Sequence, residues 1–566
     1  MHRPNRFLLG ASLLFLSACF ETAGDPADGG GDGPIVEAPP PVTLSDESAF
    51  RFLQQATFGA SAQDIEDLKA SSFDAWFEDQ LAQPFVPYTD RIRDESLVSF
   101  TNESTAQRLF WERAVHGDDQ LRQRVAYALS QIIVVSMNDA QLRNNVRTYA
   151  VYLDLLQEQA LGNYCQLVRD VSLNPAMGLF LTHLGNPRAD EETGFVPDEN
   201  YAREVMQLFT IGLENLDAQG QPTGSETYSS EDVQGLAAVF TGLGWADTDF
   251  FFPRVTDFNR YLPMESFLAQ HEDAPKTFLG ATIDLGNDAI VSVEAALDHL
   301  LAHPNVAPFI SKQLIQKLVT SNPSPAYVGR VSQAFETGRF RLANGTEVGA
   351  GNTCDMSATV AAILMDEEAR SFSASSTQGK IRSPILRLAN LIRTFRVSQD
   401  VTASGPIPQA WTLDRLEDSQ YLGINAYVSP SVFNFFRPGY VGPGTESAAA
   451  GLLTPEYQIA TTPSLVGYIN TIEDFIDGPP LSESEANVAL MNISELLVIA
   501  DEPATLVQEI DRLLTGGLMS PQNRSAIQDA VALVEVQGGD IDNDRRRRVE
   551  MALLMTVTSP EFMVQR

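Results

Sequence analysis

Apolar residues recur every three or four positions along most of this chain. Leu121, Val125, Leu129 and Ile132, within the stretch 104–136, show the spacing most clearly. On a helix such residues form one stripe that can face a core. The same period predicts helices near 149–161, 164–171, 200–211, 230–240, 291–300, 304–319, 326–335, 356–365 and 385–395. It continues at 462–472, 485–497, 503–514, 523–534 and 546–556. Ser45 stands where a cap would open a first helix through Phe50, Leu53 and Ala56, with Gly59 ending it. Residues 64–68 and 73–81 continue the pattern, with Trp76 and Phe77 on the apolar side. Alternating segments are few, and short hairpins are expected only near 213–228 and 246–283. The pattern predicts a mainly α fold: a large multi-helix single unit over 46–566, with little β structure and long ordered loops. No repeat of fixed period marks a solenoid. The chain end is expected to pack back on the body.

The first residues read as targeting rather than fold. His2, Arg3 and Arg6 precede an apolar run, 7–15, too short to cross about 30 Å of hydrocarbon as a helix. Leu16-Ser17-Ala18-Cys19 resembles a bacterial lipobox, so residues 1–18 are expected to be a signal peptide and Cys19 the site of lipidation, palmitate included. A single acyl chain binds a membrane only marginally, whereas several hold firmly. Phe20 stands where an inner-membrane retention signal would place Asp, which favours the outer membrane. Residues 19–45, rich in Gly, Pro and acid, are expected to tether the body to the cell envelope.

Charge narrows the partners. The 566 residues carry 74 acidic and 38 basic side chains, a formal charge of −36. Nothing in that balance offers the basic footprint that nucleic acid requires. Beyond Cys19 only Cys165 and Cys354 remain. An oxidising compartment permits a bridge between them, but the helical setting of Cys165 makes a buried thiol the ordinary reading.

Several long segments carry a family resemblance. LRQRVAYALSQIIVVS (121–136), NPAMGLFL (174–181), DENYAREVMQLFTIGL (198–213), YSSEDVQGLAAVFTGLGW (228–245) and HEDAPKTFLG (271–280) resemble signatures of the bacterial domain-of-unknown-function family 1800. GKIRSPI (379–385), SPSVFNFFRPGY (429–440), TPEYQIA (454–460) and SPEFMVQR (559–566) extend the match. The resemblance implies one extended helical unit and export. It also implies an exported sulfatase-like partner, because such families are often encoded side by side. No activity comes with it.

DENYARE is the densest polar pattern. Asp198 is expected to cap a helix on which Asn200 and Glu204, four apart, share one face, as do Arg203 and Gln207. Glu204 would act as acid, base or ligand, with Asn200 and Arg203 binding substrate; otherwise the same residues form a buried network tying helices together. His271, Asp273 and Lys276 offer a second cluster in an expected loop: His271 and Asp273 to ligate a metal or hold a proton, Lys276 to meet an anion, or all three to hold a turn. The two clusters are expected to border one polar region. Asn434 and Arg437, among Phe433, Phe435, Phe436 and Tyr440, would line a polysaccharide cleft with Trp245 and Trp411, or anchor a loop in the core.

Other motifs fail. Asp540, Asp542 and Asp544 have calcium-loop spacing, but Arg545 and Met551 occupy the Gly and Glu positions, so they are expected to lead into the last helix. Arg545 to Arg548 are expected to be an internal or partner-facing counterweight. No HExxH, Cys/His cluster or GxSxG is present. No metal site and no cofactor is clearly implied by these motifs. The reading favoured is a lipid-anchored envelope scaffold or binding protein; the alternative is a glycan- or ester-processing hydrolase centred on Glu204 and His271.

Overall fold

The computed structural model describes residues 35–41, 43–93, 103–256, 258–284, 286, 288–371, 378–396, 416–477, 491–537 and 539–566. Cys19, its signal segment and Trp411 lie outside the described residues. The fold is mainly α, 52% helical, with small sheets of two or three short strands. Among the described residues no helix is long and apolar enough to cross a membrane.

Local sequence chemistry sets the helix starts. Ser45 caps Asp46–Ala56, and its side chain and that of Ser48 exchange bonds with each other's backbone N–H. Ser61 with Asp64 and Ser229 with Asp232 repeat the device. Within 104–136, Gly117 and Asp119 divide the pattern into Glu103–His116 and Gln120–Ser130, and the remainder turns. The hairpins arise where alternation was read: Glu214–Leu216 pairs with Pro222–Glu226, and Lys276–Phe278 with Ala281–Ile283.

Two apolar cores result. One gathers residues from Ala49 to Ala369, including the helices Val306–Leu318, Pro325–Thr337 and Met356–Met365 packed in succession. The other gathers Ile385 to Phe562 but borrows Phe58, Phe110, Trp111 and Tyr127 from the first half. Polar ties lock the halves together. Arg382 donates to Gln54 Oε1 at 2.7 Å, Asn390 Oδ1 at 2.9 Å and the Phe562 carbonyl. The end of the chain returns as expected: Val564–Gln565 pairs with Lys380–Ile381.

Two expectations need correction. Cys165 is no free thiol: it is bridged to Cys354, 189 residues away, with Cα atoms 5.6 Å apart. The pairing of Asn163 with Asp355 and the bond from Tyr164 N–H to the Cys354 carbonyl bring the two segments together, which helical periodicity could not disclose. The far end of the expected tether is also part of the body. Val36–Glu37 runs parallel to Phe340–Arg341, and Glu37 pairs with Arg341 at 2.7 Å. The Ala38 N–H continues the pairing by donating to the Arg341 carbonyl at 2.8 Å.

Candidate functional site

The helix Asn200–Gln207 buries Tyr201, Ala202, Val205 and Met206. Its cap differs. Glu199 occupies the cap position without a side-chain bond to the helix N–H groups, while Asp198 accepts from the Asn200 N–H at 2.8 Å. Asn200 donates to Thr182 Oγ1 at 2.9 Å, and Arg203 pairs with Glu199 at 2.8 Å. Glu204 is half-buried, and one of its carboxylate oxygens has no hydrogen-bond partner among the described residues. Burial pushes its carboxyl above the usual range, against the opposing pull of Arg203.

His271 is enclosed. Gly242, at φ +73°, makes room for it: a Cβ there would lie 2.6 Å from the His271 backbone nitrogen. Nδ1 lies 2.8 Å from the Thr241 carbonyl and therefore carries the proton, which leaves Nε2 to accept from the Ser292 hydroxyl at 3.0 Å. Burial lowers its pKa, so the ring stays neutral with both nitrogens engaged. Lys276 begins a strand rather than sitting in a loop, and its ammonium is buried. It donates to the carbonyls of Glu272 at 2.6 Å, Ala274 at 3.4 Å and Gly286 at 3.5 Å. Asp273 is exposed and meets Arg188 at 3.3 Å.

The loop 182–190 fastens both clusters. Asn186 accepts from the Asp198 N–H through its side chain at 3.0 Å, and from the Gly242 N–H through its carbonyl at 2.8 Å. The Arg188 N–H donates to the Gln270 carbonyl at 2.7 Å. The helix start and the His271 segment therefore share one neighbour. Among the described residues no hydrogen bond or ion pair joins Glu204 to His271. His183, in the same loop, stacks on Tyr201 with ring centres 4.0 Å apart, and burial lowers its pKa to about 4. The other sequence candidates sit elsewhere. Asn434 takes φ +60°, and Arg437 lies 5.1 Å over Phe433 while its N–H donates to Gln458 Oε1 at 2.8 Å. Phe436 is buried and Trp245 half-buried.

A further cluster escaped the sequence reading. Lys380 and Glu456, both buried, pair at 3.3 Å. Lys380 also donates to the carbonyls of Gln316 and Lys317, at 2.9 and 3.0 Å, and Arg124 donates to the latter at 2.8 Å. Gln565 Nε2 reaches the Leu318 carbonyl at 2.7 Å. Burial, with Lys380 nearby, lowers Lys317 to about 7. The segments GKIRSPI, TPEYQIA and SPEFMVQR thus converge on the end of one helix. The signal was there: the chain has only five lysines, and two of them, Lys276 and Lys380, lie in quoted segments. Lys317 is enclosed, so it can fix packing but cannot reach a substrate.

Polar side chains in this helical fold mostly tie distant segments together. The comparison with known families agrees with the segments quoted above: the chain belongs to the family of proteins of unknown function DUF1800, matched over residues 51–564. No curated protein and no solved structure matches it.

Proposed function

We propose that this chain is a lipid-anchored, non-catalytic scaffold of the cell envelope, held through Cys19 at the outer membrane, that docks an exported sulfatase-like protein. The observation that carries the reading is the exposure of large apolar side chains in the segments 195–196 and 250–258. Phe250, Phe252 and Phe258 are 71, 74 and 61% exposed, and Phe195 and Val196 are exposed too. The Phe252 ring approaches Gly185 of the loop that fastens both polar clusters. Water disfavours such a patch unless a partner covers it. Exposed Glu191, Glu192, Asp247 and Asp249 adjoin those segments in sequence, so a complementary partner face would be apolar with basic residues. The Cys165–Cys354 bridge supports an oxidising compartment.

The test is binding of the full chain to a purified exported sulfatase-like protein. Phe250→Ser with Phe252→Ser should weaken it about tenfold or more without loss of fold, because both rings are largely in water. Equal binding by the variant would overturn the reading. The hydrolase alternative rests on Glu204, whose unpartnered oxygen could take a proton. Loss of a measured hydrolysis in Glu204→Gln, with docking intact, would favour it.

A further inference from the structure

A second surface lies far from that patch in sequence. The loop after the first helix, the helices Ala62–Ala70 and Phe73–Ala82, the turn 116–120 and the residues after Pro384–Thr394 enclose an open cavity of about 480 Å³. Its volume is in the range of small-molecule sites.

Internal ties make its walls rigid. The Gln120 amide donates to the carbonyls of Arg113, Ala114 and Gly117, at 3.2, 3.2 and 2.8 Å, and accepts from the Phe58 N–H at 3.3 Å. Gln80 donates to the Asp118 carbonyl and accepts from the Leu121 N–H, both at 3.0 Å. Arg393 donates to the carbonyls of Gly59 and Val115 at 2.8 and 2.7 Å. These groups are consumed in holding the walls. Lining the space as well are Trp76, Asp67, Asp79, Asp118, Gln83 and His116; the Gln83 amide donates to Asp79 Oδ2 at 3.1 Å, and Asp67 accepts from Gln63 at 2.7 Å. Trp76 was read from the sequence as a core residue. It is only half-buried, and its orientation is set by an edge contact with Phe52 at 5.0 Å.

Charge then selects the ligand. Arg396 grips Asp64 with two bonds, at 3.1 and 3.3 Å, and Arg393 approaches the same carboxylate at 3.7 Å. Despite burial, which acts in the opposite direction, these guanidiniums hold Asp64 at about 2, so the cations are answered within the wall. Asp67, Asp79 and Asp118 remain toward the space and would repel a phosphate, carboxylate or sulfate. Apolar ligands find too little to cover. Among the described residues no three His, Cys, Asp or Glu side chains stand close enough to hold a metal. Burial, with Arg396 and Arg393 beside it, lowers His116 to about 4, so its ring is neutral near pH 7. An aromatic wall set among carboxylate acceptors, with no cation left over, matches an uncharged ligand whose hydroxyls donate and whose body has an apolar face.

We propose that this cavity binds a neutral oligosaccharide, with one sugar ring on Trp76 and its hydroxyls donating to Asp118 and to Asp79, which Gln83 holds in place. The site goes beyond the docking role, and neither depends on the other.

Titration of the full chain in detergent with chitotetraose, maltotetraose, laminaritetraose and tetragalacturonate, followed by calorimetry and tryptophan fluorescence, tests it. At least one neutral oligosaccharide should bind at micromolar to millimolar concentration and change the fluorescence, and tetragalacturonate should not. Trp76→Phe keeps an aromatic wall and should abolish the fluorescence change while heat remains. Asp79→Ala and Asp118→Ala alter exposed side chains, and each should weaken binding by about tenfold for a lost hydrogen-bond acceptor. Failure of every neutral oligosaccharide to bind overturns the proposal. So does preference for tetragalacturonate, or binding unchanged in Asp79→Ala and Asp118→Ala.

Discussion

Replacing Lys317 by Met should stabilise the protein near neutral pH and remove part of its pH dependence. Lys317 lies near the end of Val306–Leu318, its ammonium 5.1 Å from the Phe436 ring centre. Burial, then Lys380 and Arg124, lower it from 10.5 to about 7, while Glu456 alone pulls upward. Between those values the unfolded chain binds the proton that the folded one has released. Stability therefore rises with pH across about 7 to 10.5, by about 1.4 kcal/mol per unit, and this contribution is flat below the folded value. At pH 7 the accumulated penalty is about 4–5 kcal/mol. Met has a similar length and no charge. The bonds that Lys380 and Arg124 make go to the Lys317 carbonyl, so they survive the substitution. Denaturant unfolding of both proteins at several pH values between about 6 and 10 measures the difference, in which the other titrating groups largely cancel. A variant with the same slope as the parent, or one less stable throughout the range, would show that the buried charge is not the penalty argued here.

Four further outcomes follow from the same geometry. Cys19→Ala should leave the protein unacylated and released from membranes; acylation persisting in the variant would place the lipid elsewhere. Opening the Cys165–Cys354 bridge, which spans 189 residues, should destabilise the fold by about 2–5 kcal/mol, and an unchanged Tm under reduction contradicts this. His271→Ala strands the Thr241 carbonyl and the Ser292 hydroxyl and should lower stability by about 2–4 kcal/mol, measured by unfolding; a folded protein of parental stability would deny the enclosed role. The raised Glu204 carboxyl means that the folded state holds its proton to higher pH, so stability falls as pH rises just above 4.5. Glu204→Gln should remove that fall, and an identical acid-range profile would refute the assignment.

Periodicity and caps carried the local architecture. Ser45, the stripe Tyr201–Val205 and the hairpin at 214–226 follow from patterns within a few residues, where backbone bonding and one apolar face decide the outcome. Asp540 likewise caps Ile541–Val557, and Arg548 donates to the carbonyls of Val534, Ala500 and Asp501, the internal counterweight expected of the arginine run. The polar residues with a special environment were legible as types but not as arrangements. Whether His271 faced water or a Ser292 hydroxyl depended on a helix 21 residues away and on the bare Cα of Gly242. The pairing of Lys380 with Glu456 and the bridge from Cys165 to Cys354 join segments 76 and 189 residues apart. The Trp76 wall faces the turn at His116 across such a distance too. Short-range pattern sets which face of a helix is apolar, but burial and charge compensation are properties of neighbours that only the packed chain brings together.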